Sequence, residues 1–541
     1  MSRFLRNISL NKKTIIVLGV IVIVGFIFRA YNFSEWLRFN MDQSRDVILV
    51  EKSIQEHSWP LLGPMAGGTE FLLGSAFYDF QIISAKIFGA SPTSAAYPDL
   101  LFSLLSIPLF FLLARIYFNK TIALSLTWIF SIAYFVIKYS RFAWNPNSTP
   151  FFVMLFIYAI YRLSNAEEER KNWWAVVAGI AMGIGVQLHT TLLIILPLIA
   201  LLFAWYLFAG KFLTKTCFIL VIAGAILVNA PQITSEIKTG GLNTTAFISG
   251  ITNKNSRNTN IGDNFVLNVS CHIRANYGIL TSYSNEEECG YNDIVRNINK
   301  LDSKKVPLND KIILVVYLII AIIFSLGGYY LMFRKFKEEN EPRKKFLAKL
   351  IASYVVVTFL FFIIWANELS MRFFLILEFV PFILLGFWLD FIWKKTNKHW
   401  LAIMIVAVIS VFNLQKNYSV FHDLQFGGRE INNDFEYLTL GEANFIANFI
   451  KNNNEGEKTA HIDAQAGYLF KSFRSLRYIA QKSDIALIEL GAETKLESGS
   501  RLFYLKNANG WCRLEDRIAK KYEIENCVMY RQFSIFNLKI K

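Results

Sequence analysis

Several short signatures of familiar chemistry are missing from this sequence. It has no GxxxxGK[ST] phosphate loop, no HExxH pair, no CxxC, and no GxGxxG in a strand-to-helix context. Nucleotide chemistry on a cytoplasmic face therefore has no residues to support it. Charged residues are scarce, at 18% of 541. There is no solenoid repeat, no low-complexity tract, and no small-residue cleavage site after the first apolar run. That run is expected to be a retained helix. Acidic residues are outnumbered, 41 against 56 basic, for a net charge of +15. No basic stripe of nucleic-acid character accompanies that excess, so no nucleic-acid partner is expected.

Apolar residues are plentiful, at 54% of the chain, and they come in long blocks. A helix crosses the hydrocarbon layer in roughly 20 residues. Runs that could span are 14–30, 97–118, 121–138, 149–164, 173–190, 191–209, 216–231, 311–333, 347–366, 373–391 and 400–414. The expected fold class is an α-helical polytopic membrane protein of about eleven spans, carrying a small external α/β domain at its C-terminal end. The stretch 70–88 is ambiguous because Asp79 would lie near the middle of a span, which is costly. As an amphipathic helix at the interface it costs little.

Loop charge decides between these two readings. If 70–88 lies flat outside, the N-terminal Arg3, Arg6, Lys12 and Lys13 are cytoplasmic. So are the loops with Arg115 and Lys120, Arg170 and Lys171, Lys211 and Lys215, Arg334 to Lys349, and Lys394, Lys395 and Lys398. This is the positive-inside bias. The expected division is a membrane domain over 1–414, with external loops 30–96 and 232–310, and an external α/β domain over 415–541. The expected location is a cell or inner membrane, N-terminus inside and C-terminal domain outside. Cys217 lies in an apolar run. Cys271 and Cys289, and Cys512 and Cys527, fall as two local pairs that could be disulfides in an oxidising compartment.

The charged exceptions gather on the outer side. In "FNMDQSRDVI", Asp42, Arg45 and Asp46 fall three or four apart on one helical face. The bland alternative is a solvated ion-pair set worth about 0.2–0.5 kcal/mol per pair. Arg141, in "YSRFAWNPNSTP", is a lone cation on a short external loop, which suggests an anionic partner or snorkelling to lipid phosphate. Asn145 opens a turn signal there. His189 ends "VQLH", where a structural role is the commoner one. Glu368, Arg372 and Glu378 lie in "NELSMRFFLILEFVP". With Glu70, these residues suit a site for an amphiphile with an anionic head and an apolar tail.

At this point the chain resembles a known family. The Asp shortly after the first span, "LLGP" at 61–64, "SRFAWNPN" and "QLHTT" resemble the GT-C-fold glycosyltransferases of family 39, the superfamily of protein O-mannosyltransferases and aminoarabinose transferases. The resemblance covers most of residues 10–420. It implies a transferase that takes a sugar from a polyprenyl-phosphate donor in the membrane lipid. The acceptor would be an envelope glycan, lipid or protein. It also implies Asp42 as catalytic base, with Asp46 one turn on as the candidate second acid. Gln43 stands where many members have Glu. In "AGGTEFLLGSAFYDF", Ser75-Ala76 replaces the usual Gly-Pro-Leu neighbourhood and Tyr78 is the aromatic that remains.

The chemistry fits these residues. A hydroxyl nucleophile needs a carboxylate to take its proton. A departing phosphate needs fixed cations, for which Arg141 and Arg372 are candidates, with Arg45 orienting Asp42. Glu70, Tyr78, Asn145 and His189 are the further expected substrate contacts. Attack opposite the leaving group would invert the anomeric centre. No metal-ligand spacing argues for a metal, and no cofactor is required, although a divalent ion bridging carboxylate and phosphate stays open. A transporter or flippase of lipid-linked glycans is the alternative, and an envelope scaffold a third reading.

Overall fold

The computed structural model describes residues 11–67, 69–165, 170–210, 213–252, 260–282, 289, 307–364, 369–395, 399–427, 438–465, 472–490, 501–507 and 512–541. Arg3, Arg6, Lys211, Glu368, Lys398 and much of the polar segment 251–264 lie outside these residues.

The chain enters through α1 (Lys12–Ala30), whose first turn is capped by Asn11. A two-residue strand β1 (Arg38–Phe39) leads into α2 (Met41–Gln55). The β2 (Leu62–Met65) and β3 (Leu72–Gly74) hairpin follows, then α3 (Ala76–Phe88). At 13 residues α3 is about 20 Å long, too short for a layer of roughly 30 Å. The remaining membrane-domain helices are α4 (Pro92–Tyr117), α5 (Lys120–Ile132), α6 (Tyr134–Tyr139), α7 (Thr149–Leu163), α8 (Lys171–Leu188), α9 (Leu192–Ala209), α10 (Lys215–Thr239), α11 (Leu242–Thr252), α12 (Ile261–Thr281), α13 (Leu308–Glu338), α14 (Pro342–Ile364), α15 (Val380–Lys395) and α16 (His399–Phe426).

Each of the eleven apolar runs falls on helix, but the count of clear spans is lower. Among the described residues seven helices are long and apolar enough to cross a membrane, or eight if the 3-10 turn Met371–Leu377 and α15, bent by 62°, form one span. The run at 121–138 is interrupted at Ala133, which is extended. The run at 149–164 yields a helix of 15 residues, about 22 Å long. The segment 232–310, expected as an external loop, contains α12, a 21-residue helix whose Leu267, Cys271 and Ala275 join the main core. Its asparagines made it look like loop. Two of them bond to neighbouring helices instead: Asn268 donates to the Phe359 carbonyl at 2.8 Å and Asn276 to the Tyr329 hydroxyl at 3.3 Å.

Two packing features shape the membrane part. Gly179 and Gly183 of α8 meet α10 so closely that a Cβ at 179 would lie 2.2 Å from the Val221 carbonyl oxygen. Such small-residue spacing lets helix backbones approach in lipid. At the α5–α6 break, the freed backbone groups are taken up by side chains, as buried backbone polar groups must be. Asn413 accepts from Tyr134 N (3.1 Å), Asn417 donates to the Ile132 carbonyl (2.9 Å) and Arg29 to the Ser131 carbonyl (2.7 Å).

Helix α16 continues past 414 to Phe426. Beyond it come β4 (Leu438–Thr439), α17 (Leu440–Asn453), β5 (Thr459–Ala464), α18 (Phe473–Gln481), β6 (Ala486–Glu489), β7 (Arg501–Asn507), a short helix Asp516–Ala519, β8 (Tyr522–Tyr530) and β9 (Phe533–Ile540). Five strands form one mixed sheet in the order β6-β5-β7-β9-β8. Strand β5 runs parallel to β6 and β7, and β9 antiparallel to β7 and β8. Cys271–Cys289 and Cys512–Cys527 are both bonded.

Candidate functional site

The site is built on the first turns of α2. Asn40 is the helix N-cap: its side-chain oxygen accepts from Asp42 N at 3.2 Å, and its own N–H donates to the Gln43 side chain at 3.2 Å. Such a reciprocal cap fixes where the helix begins. It places Asp42 in the first turn, where the helix dipole favours a carboxylate. Gln43 is buried and also donates to the Ala143 carbonyl at 2.8 Å. This position therefore carries no second acid. Its amide N–H, which a carboxylate could not supply, ties α2 to the 139–150 hairpin.

Arg45 lies between two carboxylates. Its Nη1 donates to Asp42 Oδ1 at 3.2 Å, and its Nε and Nη2 both reach Asp46 Oδ1 at 2.8 Å. The two acids differ in access: the Asp42 side chain is 46% exposed and that of Asp46 1%. Burial pushes the Asp46 carboxyl up to about 6, against the opposing pull of Arg45 and of a hydrogen bond from Tyr78. The Tyr78 hydroxyl donates to Asp46 Oδ1 at 2.9 Å, and burial and the neighbouring acid hold the phenol protonated, well above its ordinary range. Asp46, expected as a second catalytic acid, is thus sealed behind Arg45 and Tyr78. The reason is packing: one turn further along the same face, Asp46 lies under the Arg45 guanidinium and against Tyr78 of α3.

Tyr78 is held in turn from α8. Gln187 accepts from Ala76 N at 3.1 Å and donates to the Gly183 and Val228 carbonyls at 3.0 and 2.8 Å. Gly74 passes so close that a Cβ there would lie 2.3 Å from Gln187. Ser75 donates to Asp79 at 2.8 Å, the carboxyl of Asp79 being raised by burial.

A second group lies where α8 ends. Asn145 donates to the Leu188 carbonyl at 2.9 Å. His189 Nδ1 accepts from Thr191 N–H at 3.3 Å, which puts the ring proton on Nε2. The His189 ring meets Phe373 edge-on at 5.9 Å, and the exposed Arg372 guanidinium stands 5.5 Å from the same Phe373 ring. Gln43 bonded to Ala143, and Gln187 bonded to Ala76, connect the two groups.

Two expected contacts lie elsewhere. Arg141 is not aimed at an anionic partner. It is buried, and donates to the carbonyls of Phe28 (3.0 Å), Arg29 (2.8 Å) and Tyr31 (2.8 Å), closing the C-terminal end of α1. Phe33, Trp36 and Phe421 surround its guanidinium. Cations favour helix C-termini for the same electrostatic reason that anions favour N-termini. Glu70 sits exposed at the tip of the β2–β3 hairpin and makes no hydrogen bond with the α2 group.

Sequence reasoning passed over Asp99, which lies inside an apolar run. It accepts from Ser148 Oγ at 2.5 Å and Trp144 N at 3.1 Å, and so pins the 139–150 hairpin to α4. Glu378 lines a small polar cavity with Ser103, Ser106, Tyr139, Ser140 and Asn147. No group of three His, Cys, Asp or Glu side chains among the described residues is disposed to hold a metal.

Over its length the chain superposes on the crystal structure of ArnT from Cupriavidus metallidurans in the apo state, with a TM-score of 0.54 at 10% identity, covering 97% of each chain. The structure of the same protein bound to undecaprenyl phosphate gives 0.51 at 9% identity, again over 97% of each. Residues 77–234 match the family described as dolichyl-phosphate-mannose-protein mannosyltransferase. No curated protein sequence matches the chain. The chain thus shares the fold of these structures, and its residues 77–234 resemble the mannosyltransferase family.

Proposed function

We propose that this protein is a membrane glycosyltransferase that moves a sugar from a polyprenyl-phosphate donor to an envelope acceptor at the outer face of the membrane. The observation that carries the reading is the α2 cluster: an exposed Asp42 held by Arg45, which is itself held by the buried Asp46 and Tyr78. The matched fold and family model support the reaction class. One matched structure holds undecaprenyl phosphate, which supports a donor of that chemistry here. The two disulfides support an oxidising, external side for α12 and the C-terminal sheet.

Asp42 is the base of choice because, of Asp42 and Asp46, it alone is open to an incoming hydroxyl. It takes the acceptor proton as the oxygen attacks the anomeric carbon. The bond to phosphate breaks on the opposite side, and the configuration inverts. Arg372, exposed beside His189, is the cation we assign to meet the phosphate as its charge grows. A flippase would call for a polar route across the bundle, and at the α5–α6 break the free groups are taken up by Asn413, Asn417 and Arg29.

The test is transfer of labelled sugar from a polyprenyl-phosphate donor to envelope acceptors by wild type and Asp42→Asn. Loss of about 100-fold or more is expected from removing a general base. Full activity in the variant would remove Asp42 from the mechanism.

A further inference from the structure

The C-terminal domain does more than sit on the outer face: it grips α2 at both ends. Before the helix, β1 pairs antiparallel with β4, Arg38 opposite Thr439 and Phe39 opposite Leu438. Leu440 N donates to the Leu37 carbonyl at 2.8 Å, and Gly441 N to the Glu35 carbonyl at 3.1 Å. The Glu35 carboxylate accepts from Tyr530 (2.9 Å) and Arg531 (3.0 Å) at the β8–β9 turn. Near the other end, Glu51 accepts from the Tyr478 hydroxyl of α18 at 2.5 Å and from Nζ of Lys482, the C-cap of that helix, at 2.9 Å. The Tyr478 ring also packs edge-on against Phe39 at 5.7 Å.

These contacts have a consequence for the chemistry. Asn40, which caps α2, follows β1 directly, and Asp42 and Arg45 lie between the two grips. A helix fixed at both ends cannot rotate or slide, and small errors in placing a reacting group are costly. We propose that the C-terminal domain is a brace for α2, and that Glu51 is a positioning residue for Asp42 and Arg45. The assignment rests on the functional reading above. Glu51 touches no reacting atom in this scheme; it acts through the helix it anchors.

The test uses the full-length protein in lipid nanodiscs, as wild type, Glu51→Ala, Glu51→Gln and Tyr478→Phe. Two quantities are read: steady-state sugar transfer, and hydrogen exchange of the α2 amides from 44 to 55. In Glu51→Ala, kcat should fall about tenfold through misplacement of the base, with the donor KM nearly unchanged and α2 exchange faster. Glu51→Gln, which still accepts from Tyr478, should recover most of the loss. Tyr478→Phe keeps the ring on Phe39 and should show a smaller effect of the same kind. A raised KM with kcat intact, or α2 exchange equal to wild type, would overturn the brace. If wild type transfers no sugar, the functional reading falls, and exchange alone then decides whether α2 is held from Glu51.

Discussion

The Tyr78 hydroxyl and the Arg45 guanidinium converge on one oxygen, Oδ1 of Asp46, at 2.9 and 2.8 Å. Both bonds favour the ionised carboxylate, while burial opposes it.

The balance sets a pH dependence. The Asp46 carboxyl is raised from its ordinary 3.8 to about 6. The native state therefore binds this proton more tightly than the unfolded chain, and the stability contributed by this group falls as pH rises between those values, then levels off. Function runs the other way, because protonated Asp46 no longer holds Arg45 as an ion pair. A pH profile of kcat/KM should show an acid limb near pH 6. Tyr78→Phe removes a bond that favours the carboxylate and should move that limb upward. A limb that stays in place would separate Asp46 from catalysis.

Gln43 offers a test against the family pattern. Gln43→Glu restores the acid common in relatives but loses the donor to Ala143. The variant should be destabilised by about 1–3 kcal/mol, the cost of an unsatisfied buried group, and should gain no activity. Thermal unfolding in detergent and the transfer assay measure both.

Arg141 and Arg372 should separate cleanly. Arg141→Lys replaces a planar fork on three carbonyls with a single ammonium, and should cost about 1–3 kcal/mol of stability with the donor KM unchanged. Arg372→Ala should leave stability alone and raise the donor KM. The reverse pattern would return Arg141 to the substrate and remove Arg372 from it.

Gly74→Ala tests the link from α8 to Tyr78. The new methyl would overlap Gln187. A destabilisation of about 1–3 kcal/mol is expected from overpacking, with reduced transfer. Gln187→Ala in the same chain should relieve the clash without restoring wild-type activity, since Ala76 N loses its partner.

The helical frame was legible because apolar run length reflects the membrane directly, and 70–88, which loop charge argued against as a span, yields only the 13-residue helix Ala76–Phe88. The α2 cluster was legible because spacing along one helix fixes its faces. Arg141 misled because loop bias counts charges without showing where a guanidinium ends. Here it turns back onto the carbonyls of Phe28, Arg29 and Tyr31. Gln187 and Asp99 were hidden for a related reason: each bonds to a backbone group far away in sequence, and nothing near either residue announces the partner. The helix α12 was hidden by Asn268 and Asn276, whose polarity reads as loop until their partners are seen.

Glu51 and Tyr478 are 427 positions apart. Chains are made from the N-terminus, and domains tend to form in that order. The segment bearing Asp42 is therefore made long before α18 exists to hold it. On the proposal above, a chain that stopped short of α18 would carry Asp42 without the Glu51–Tyr478 contact that holds α2.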